Sequence, residues 1–181
     1  MDEDQQLVQN YSDGNEEAFE ELVKKYQRQI YSYAYRMTND AEEAKDLTQK
    51  VFMNAAKGIK YFRNESSFKT WLFKIATNAA INQSRIRKYP EVELDETMAS
   101  IHDSGLSSVI DKEMQEHIKQ GIAALPERQR LAIVLRVYEG LSCAETARVL
   151  GCSEGAIKAN YHLAVKKLRE FLKEHGYESG S

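Results

Sequence analysis

The sequence predicts an all-α protein of two small helical domains, an N-terminal bundle and a C-terminal helix-turn-helix domain, joined by a flexible acidic linker. Three observations carry this. Apolar residues recur at threes and fours through both ends of the chain, and no stretch alternates with the period of two that a half-buried strand requires. Residues 90–110 lose all periodicity and gather Ser, Gly and Asp, as linkers do. Residues 141–167 hold two short helical patterns joined by a tight Gly-Cys turn.

The elements follow in order. Phe19, Leu22, Val23, Tyr26, Ile30, Tyr33, Ala34 and Met37 form one long amphipathic stripe. Asn39 with Glu42 is placed to open a second helix that carries Ala44, Leu47, Val51 and Ala55 inward until Gly58 thins the pattern. Tyr61 to Ser67 read as a loop. A third helix from about Ser67 to Lys88 is expected to bury Trp71, Leu72, Ile75 and Ile81. Beyond the linker, helices are expected over 111–124 and from Pro126 to Tyr138, with Pro126 in a first-turn position and Gly140 as the stop.

The last two helices are the most specific local pattern. Ser142 and Glu145 have capping-box spacing, and Leu141, Ala144, Ala147 and Leu150 share one face. Gly151 supplies the left-handed residue that ends a helix at little cost. Ser153 caps the next helix, whose inner face reads Ala156, Ile157, Ala164 and Leu168. Its outer face reads Glu154, Lys158, Asn160, Tyr161, His162 and Lys166. Two small-faced helices on so short a link cross steeply and leave the second free to enter a major groove.

Composition bounds the function. The chain has 181 residues, 29% of them charged, with a mean hydropathy of −0.60. No run approaches the roughly 20 apolar residues of a membrane span, and the acidic start does not have the features of a signal peptide. The net charge of −3 conceals a sorting along the chain. Residues 57–88 hold eight basic side chains against Glu65 alone, net +7, and residues 91–116 hold eight acids against Lys112, net −7. A basic stripe beside an acidic tether suits contact with phosphates by one part and with a cationic or nucleic-acid channel by another.

Within the first domain, Asp46, Gln49, Lys50 and Met53 share a face at i, i+3, i+4 and i+7, opposite the apolar stripe. The loop Tyr61-Phe62-Arg63-Asn64-Glu65-Ser66-Ser67 interleaves aromatic and polar groups, the composition that holds unstacked bases. Trp71 behind it is read as packing. Asn78, Asn82 and Arg85 line one outer face with amides and a guanidinium suited to base edges. Arg85, Arg87 and Lys88 form a phosphate grip. Cys143, Cys152 and His162 match no zinc spacing and lack a fourth ligand. The cysteines are read as small fillers in a reducing cytoplasm. No metal or cofactor is expected, since no phosphate-cradling glycine loop occurs. An enzyme would need clustered carboxylates or a nucleophile with its base, and the acids gather in the linker instead. A response regulator would need a phosphoacceptor domain with strands, and residues 1–90 read as helices.

Asp46-Leu47-Thr48-Gln49-Lys50-Val51-Phe52 resembles the core-binding signature of bacterial sigma factors. Ser67 to Asn78 resembles the promoter-melting segment that follows it. Leu125-Pro126-Glu127-Arg128-Gln129-Arg130, then Glu139-Gly140-Leu141-Ser142, then Gly155-Ala156-Ile157-Lys158, resembles the family's promoter-binding domain. The short length and direct tether are similar to the extracytoplasmic-function group. The resemblance implies a region 2-like domain over 1–89, the linker over 90–110 and a region 4-like domain over 111–177. It implies docking on the β′ coiled coil of core RNA polymerase through Asp46, Leu47, Gln49, Lys50, Phe52 and Met53. It implies −10 recognition and melting by Phe62, Arg63, Asn64, Ser66, Lys74, Asn78, Asn82, Arg85, Arg87 and Lys88. The second domain would sit on the β flap and read the −35 element through Ser153, Glu154, Lys158, Asn160, Tyr161, His162 and Lys166. The linker would thread the polymerase's nucleic-acid channel. Polymerase would do the chemistry in the cytoplasm, and an anti-sigma factor would hold the protein inactive. Departures from the family pattern are Lys50 for an acid, Asn82 for Asp, Cys143 for Tyr, Thr146 for Ile, and Ala156 and Ala159 for Thr and Ser.

Overall fold

The computed structural model describes residues 2–88 and 112–177. Residues 90–110, expected to form the linker, lie outside the described residues, as do the side chains of Arg87 and Lys88. The described residues are helical with no strand, and they divide into two compact units, one built on the first four helices and one on the last four.

The first unit contains α1 (Glu3–Ser12), α2 (Glu16–Thr38), α3 (Ala41–Gly58), a 3₁₀ turn (Ile59–Tyr61) and α4 (Phe68–Lys88). The sequence reading did not anticipate α1. Asp2 caps it, accepting from the Gln5 amide at 2.8 Å while the Gln5 side chain accepts from the Asp2 amide, and Val8 is its one buried residue. The α2 stripe is as expected in Leu22, Tyr26, Ile30, Tyr33 and Ala34, with Ala18 added. Phe19, Val23 and Met37 are half-buried at its margins.

The start of α3 shifts by one residue from the expectation. Asn39 adopts the left-handed conformation (φ 55°) that closes α2, and Asp40 is the N-cap, accepting from the Glu43 amide at 2.8 Å. Ala44, Leu47, Val51 and Ala55 then point into the core as their spacing requires. At the other end Gly58 lies against Trp71, where a β-carbon would sit 3.2 Å from Cζ2.

The buried face of α4 differs more. Phe68, Leu72, Phe73, Ala76, Thr77 and Ala80 are buried, whereas Trp71, Ile75 and Ile81 are half-buried. Its apolar residues spread over a broad arc, so period alone does not select which part of that arc is innermost. Packing against both α2 and α3 selects the side with small residues, which lets the backbones approach. Tyr33 packs edge-on against Phe73 with centroids 5.3 Å apart, and its hydroxyl meets Thr77 Oγ1 at 2.8 Å inside the core.

The second unit contains α5 (Lys112–Ala123), α6 (Glu127–Ile133), a π-helical turn (Val134–Tyr138), α7 (Cys143–Leu150) and α8 (Glu154–Glu174). Pro126 is the N-cap of α6, one residue ahead of the first-turn position expected. Leu131 to Leu135 are all buried, and α6 packs on α8. The α5–α8 crossing is close at Gly121, where a β-carbon would meet Leu168 Cδ1 at 2.5 Å. The buried face of α7 is Thr146, Ala147 and Val149 behind Leu141. Ala144, expected inside, is exposed, and Leu150 is half-buried.

One polar cluster ties α1 to α2. Lys25 Nζ lies 2.6 Å from both Glu3 and Asp4, and the Tyr26 hydroxyl donates to Asp4. Its hydrogen bonds to Asp4, then Glu3, push the Lys25 pKa up, and burial followed by the Asp4 carboxylate pushes the Tyr26 phenol up. Both folded values lie above the unfolded ones. The stabilisation is therefore complete below about pH 10 and is lost as pH rises beyond it. An alkaline difference titration between wild type and Tyr26→Phe should show the Tyr26 phenolate signal at 295 nm only together with loss of helical ellipticity. A phenolate signal at the ordinary tyrosine value with helices intact would contradict this.

Candidate nucleic-acid and polymerase interface

Three surfaces carry the residues that the sequence singles out. On α3, Asp46, Gln49, Lys50 and Met53 are exposed along one ridge, with Met53 59% exposed. Phe52 is half-buried at the ridge's edge. Leu47 is fully buried among the core residues, so it supports the ridge from behind and offers no contact surface, a correction to its place among docking residues.

The second surface is the loop ahead of α4. Ser67 caps α4, its Oγ accepting from the Thr70 amide at 3.1 Å. The loop turns at Asn64, which adopts the left-handed conformation (φ 56°) that Asn tolerates better than most residues. Arg63, Asn64 and Glu65 are exposed, Ser66 is half-buried, and Tyr61 is 72% exposed with Lys60 Nζ 4.9 Å from its ring centroid. Phe62 is held by two neighbours, 5.3 Å from Trp71 and 6.1 Å, edge-on, from Phe68. Trp71 in turn lies 5.6 Å from Phe68. The indole therefore packs, as read from the sequence, yet it remains half-buried at the base of the loop. From this platform Lys74, Asn78, Asn82 and Arg85 run outward along α4, all exposed.

The third surface is the α7–α8 pair. The capping box of α7 is complete: Glu145 N–H donates to Ser142 Oγ at 3.1 Å, and Ser142 N–H donates to Glu145 Oε2 at 2.8 Å. Gly151 is left-handed (φ 62°), and Ser153 caps α8 by accepting from the Ala156 amide at 3.2 Å. The link between helices is therefore fixed at both ends by local hydrogen bonds. On α8, Glu154, Lys158, His162 and Lys166 are exposed. Asn160 and Tyr161 are not on the open face. Asn160 is half-buried and donates Nδ2 to the Ala156 carbonyl at 2.9 Å, and Tyr161 is half-buried below the Arg136 guanidinium at 5.8 Å. At about 100° per residue, positions 160 and 161 fall on the flank that leads to buried Ile157 and Ala164.

Both cysteines are free thiols and half-buried, and Cys143 Sγ contacts the Glu154 carbonyl at 3.5 Å. Among the described residues, no group of three His, Cys, Asp or Glu is placed to hold a metal ion. No helix among them is long and apolar enough to cross a membrane. Sequence reasoning missed Arg136, because nothing in a linear pattern signals that one side chain will bridge a π turn to a helix 25 positions later.

An all-helical chain whose second unit ends in a capped helix-turn-helix with a polar outer face is, by class, a DNA-binding protein. Comparison with known proteins gives the family. The model described as Sigma-70 region 2 matches residues 22–89, and that described as Sigma-70, region 4 matches residues 116–168. The RNA polymerase sigma-H factor of Pseudomonas aeruginosa is 33% identical, over 95% of each chain. The ECF RNA polymerase sigma factor SigW of Bacillus subtilis is 31% identical, over 92% of this chain and 95% of its own. The sigma factor RpoE of Bartonella quintana, solved in complex with the anti-sigma factor NepR, has a TM-score of 0.70 at 25% identity, over 86% of this chain and 96% of its own. The chain belongs to the sigma-70 family of RNA polymerase sigma factors, in the extracytoplasmic-function group. Its function is promoter-specific transcription initiation with core RNA polymerase.

Replacing Ser142 by Ala removes one half of the α7 capping box and leaves the Glu145 amide unsatisfied. The loss should be about 1 kcal/mol, read as a lower midpoint for the second unit in thermal denaturation of the full chain. An unchanged midpoint would mean that water replaces the cap at no cost.

Proposed function

We propose that this sigma factor divides promoter opening among the three surfaces. The α3 ridge of Asp46, Gln49, Lys50 and Met53 docks on the β′ coiled coil of core polymerase. The loop around Phe62, with Arg63, Asn64 and Ser66, receives bases of the opened −10 element on the non-template strand. Lys74, Asn78, Asn82, Arg85, Arg87 and Lys88 grip the adjoining DNA. The second unit sits on the β flap and lays α8 in the −35 major groove, with Ser153 and Glu154 at its start and Lys158, His162 and Lys166 facing the DNA. The acidic segment 90–110 passes through the polymerase's nucleic-acid channel, where its carboxylates stand in for RNA. All chemistry belongs to polymerase, and the work is done in the cytoplasm.

The observation that carries this reading is the exposure of a row of polar side chains on each of α3, α4 and α8, on the side away from the residues that each helix buries. Phosphate-rich DNA favours the basic α4, which carries five basic residues and no acid. The ridge on α3 mixes Asp46 with Lys50 around the exposed Met53, a composition suited to a protein partner. Lys50 reverses a charge that the family usually carries. An exposed pair contributes only about 0–1 kcal/mol, so docking survives through Asp46, Gln49 and Met53.

The reading also includes an anti-sigma factor that covers the same ridge, supported by the solved Bartonella quintana relative, which is in complex with one. Affinity purification at native expression from uninduced cells should bring down such a partner in place of polymerase. Recovery of core polymerase alone would count against it.

Pull-down with purified core polymerase tests the docking ridge. Wild type should bind, and the Asp46→Arg, Gln49→Ala double variant should lose about tenfold or more in affinity, by charge reversal at a complementary interface. Equal binding by both would remove the α3 ridge from the docking surface. Binding by neither would leave the polymerase contact unsupported.

A further inference from the structure

We propose that Arg136 is a positioning residue for −35 recognition, acting through the Tyr161 ring and the start of α7 and not by touching DNA. The inference rests on the reading that α8 enters the −35 major groove. Arg136 lies in the π-helical turn Val134–Tyr138, which adds a residue to the helical turn and re-aims the side chains that leave it. Its Nη1 donates to the Leu141 carbonyl at 2.9 Å, immediately before the Ser142 cap. The same guanidinium lies 5.8 Å from the centroid of the Tyr161 ring, in the middle of the reading half of α8. One half-buried side chain therefore joins the π turn, the entry to α7 and the recognition helix.

The chemistry requires arginine. A guanidinium is planar, donates in its plane and stacks through its face, so it can hold a carbonyl and cover a ring at once. A lysine ammonium is a point charge that can do one or the other. The ring it approaches is flanked by the groove-facing residues, with His162 adjacent and Lys158 one turn away. A rotation of α8 about its axis would displace the tips of both side chains from base edges, where bidentate contacts tolerate little misplacement. Asn160 is half-buried, with one Nδ2 hydrogen donated to the Ala156 carbonyl of its own helix, so it is less open than Lys158 and His162. Holding Tyr161 therefore sets how Lys158 and His162 meet the DNA.

The alternative role for an arginine in such a domain is a direct phosphate contact, and the two roles separate in solution. A phosphate contact strengthens binding to every sequence, and losing it lowers the salt dependence by about one charge. A positioning residue changes which sequence is preferred and leaves the salt dependence alone.

The experiment uses holoenzyme reconstituted with the full chain and a promoter library randomised across the −35 element. Arg136→Lys and Tyr161→Leu should each reduce discrimination between the preferred and singly substituted −35 sequences by about threefold to tenfold, the size expected of a lost cation–π contact. The double variant should be no worse than the weaker single one. Tyr161→Phe, which keeps the ring, should match wild type, and the salt slope should not change in any of them. Thermal melts accompany each variant. If Arg136→Lys loses its fold, the comparison of Tyr161→Leu with Tyr161→Phe decides alone. Wild-type discrimination in Tyr161→Leu, or a uniform loss with a lowered salt slope in Arg136→Lys, overturns the proposal. Lys158→Ala separates this from the parent reading: if it too leaves −35 preference untouched, α8 is not the reader, whereas if it alone alters preference, only the role of Arg136 falls.

Discussion

The Tyr33 hydroxyl and Thr77 Oγ1, 2.8 Å apart in the core of the first unit, impose the constraint on which its surfaces depend. A buried hydroxyl without a partner costs about 1–3 kcal/mol, so α2 and α4 are held to the one register in which these two groups meet. With that register set, Phe73 packs edge-on against Tyr33, Ala76 and Ala80 turn inward, and Lys74, Asn78, Asn82 and Arg85 turn outward. At the other end of the same face, Phe68 links buried Tyr26 to Phe62 and Trp71, so the loop ahead of α4 is based on the core. The aromatic platform and the basic ridge are thus consequences of one packing decision.

The second unit solves a different problem with shorter pieces. Helices of 7 or 8 residues such as α6 and α7 are marginal in isolation. Their geometry is set by groups at their ends: the Ser142–Glu145 box, the left-handed Gly151 and the Ser153 cap. Buried Leu131 to Leu135 and Ile157 then give the pair a common apolar seat. Because the caps are local, they fix the turn between α7 and α8 from within the segment itself. The start of each helix, α7 and α8, is thus held by side-chain-to-backbone bonds.

Much of this was legible in the sequence, for identifiable reasons. The stripes of α2 and α3 have one apolar face each, so periodicity assigns their burial, and the caps at Ser142 and Ser153 are spelled out by residue type. The innermost side of α4 was not legible, because Trp71, Ile75 and Ile81 compete with Phe68, Phe73 and Ala76 across one broad apolar arc. Helix α1 was overlooked because a single buried valine gives no stripe. Its signal is the Asp2–Gln5 capping box and the acids that meet Lys25 and Tyr26. At the candidate sites, residue type marked the ridges but not the roles of individual members. Leu47 sits under its ridge, and Asn160 and Tyr161 lie beside theirs, since neither a spacing rule nor a motif reports which way a flanking position leans.

The division of α8 between committed and uncommitted positions has an evolutionary consequence. Lys158, His162 and Lys166 bear on nothing inside the unit, while Asn160, Tyr161 and Ile157 are tied to their own helix, to Arg136 and to the core. Drift at the first group leaves the packing intact and, on the proposed reading of α8, changes which promoters are preferred. Drift at the second threatens the scaffold itself. On that reading, a duplicated copy of this gene could acquire new promoters by substitutions confined to exposed positions that the scaffold does not use.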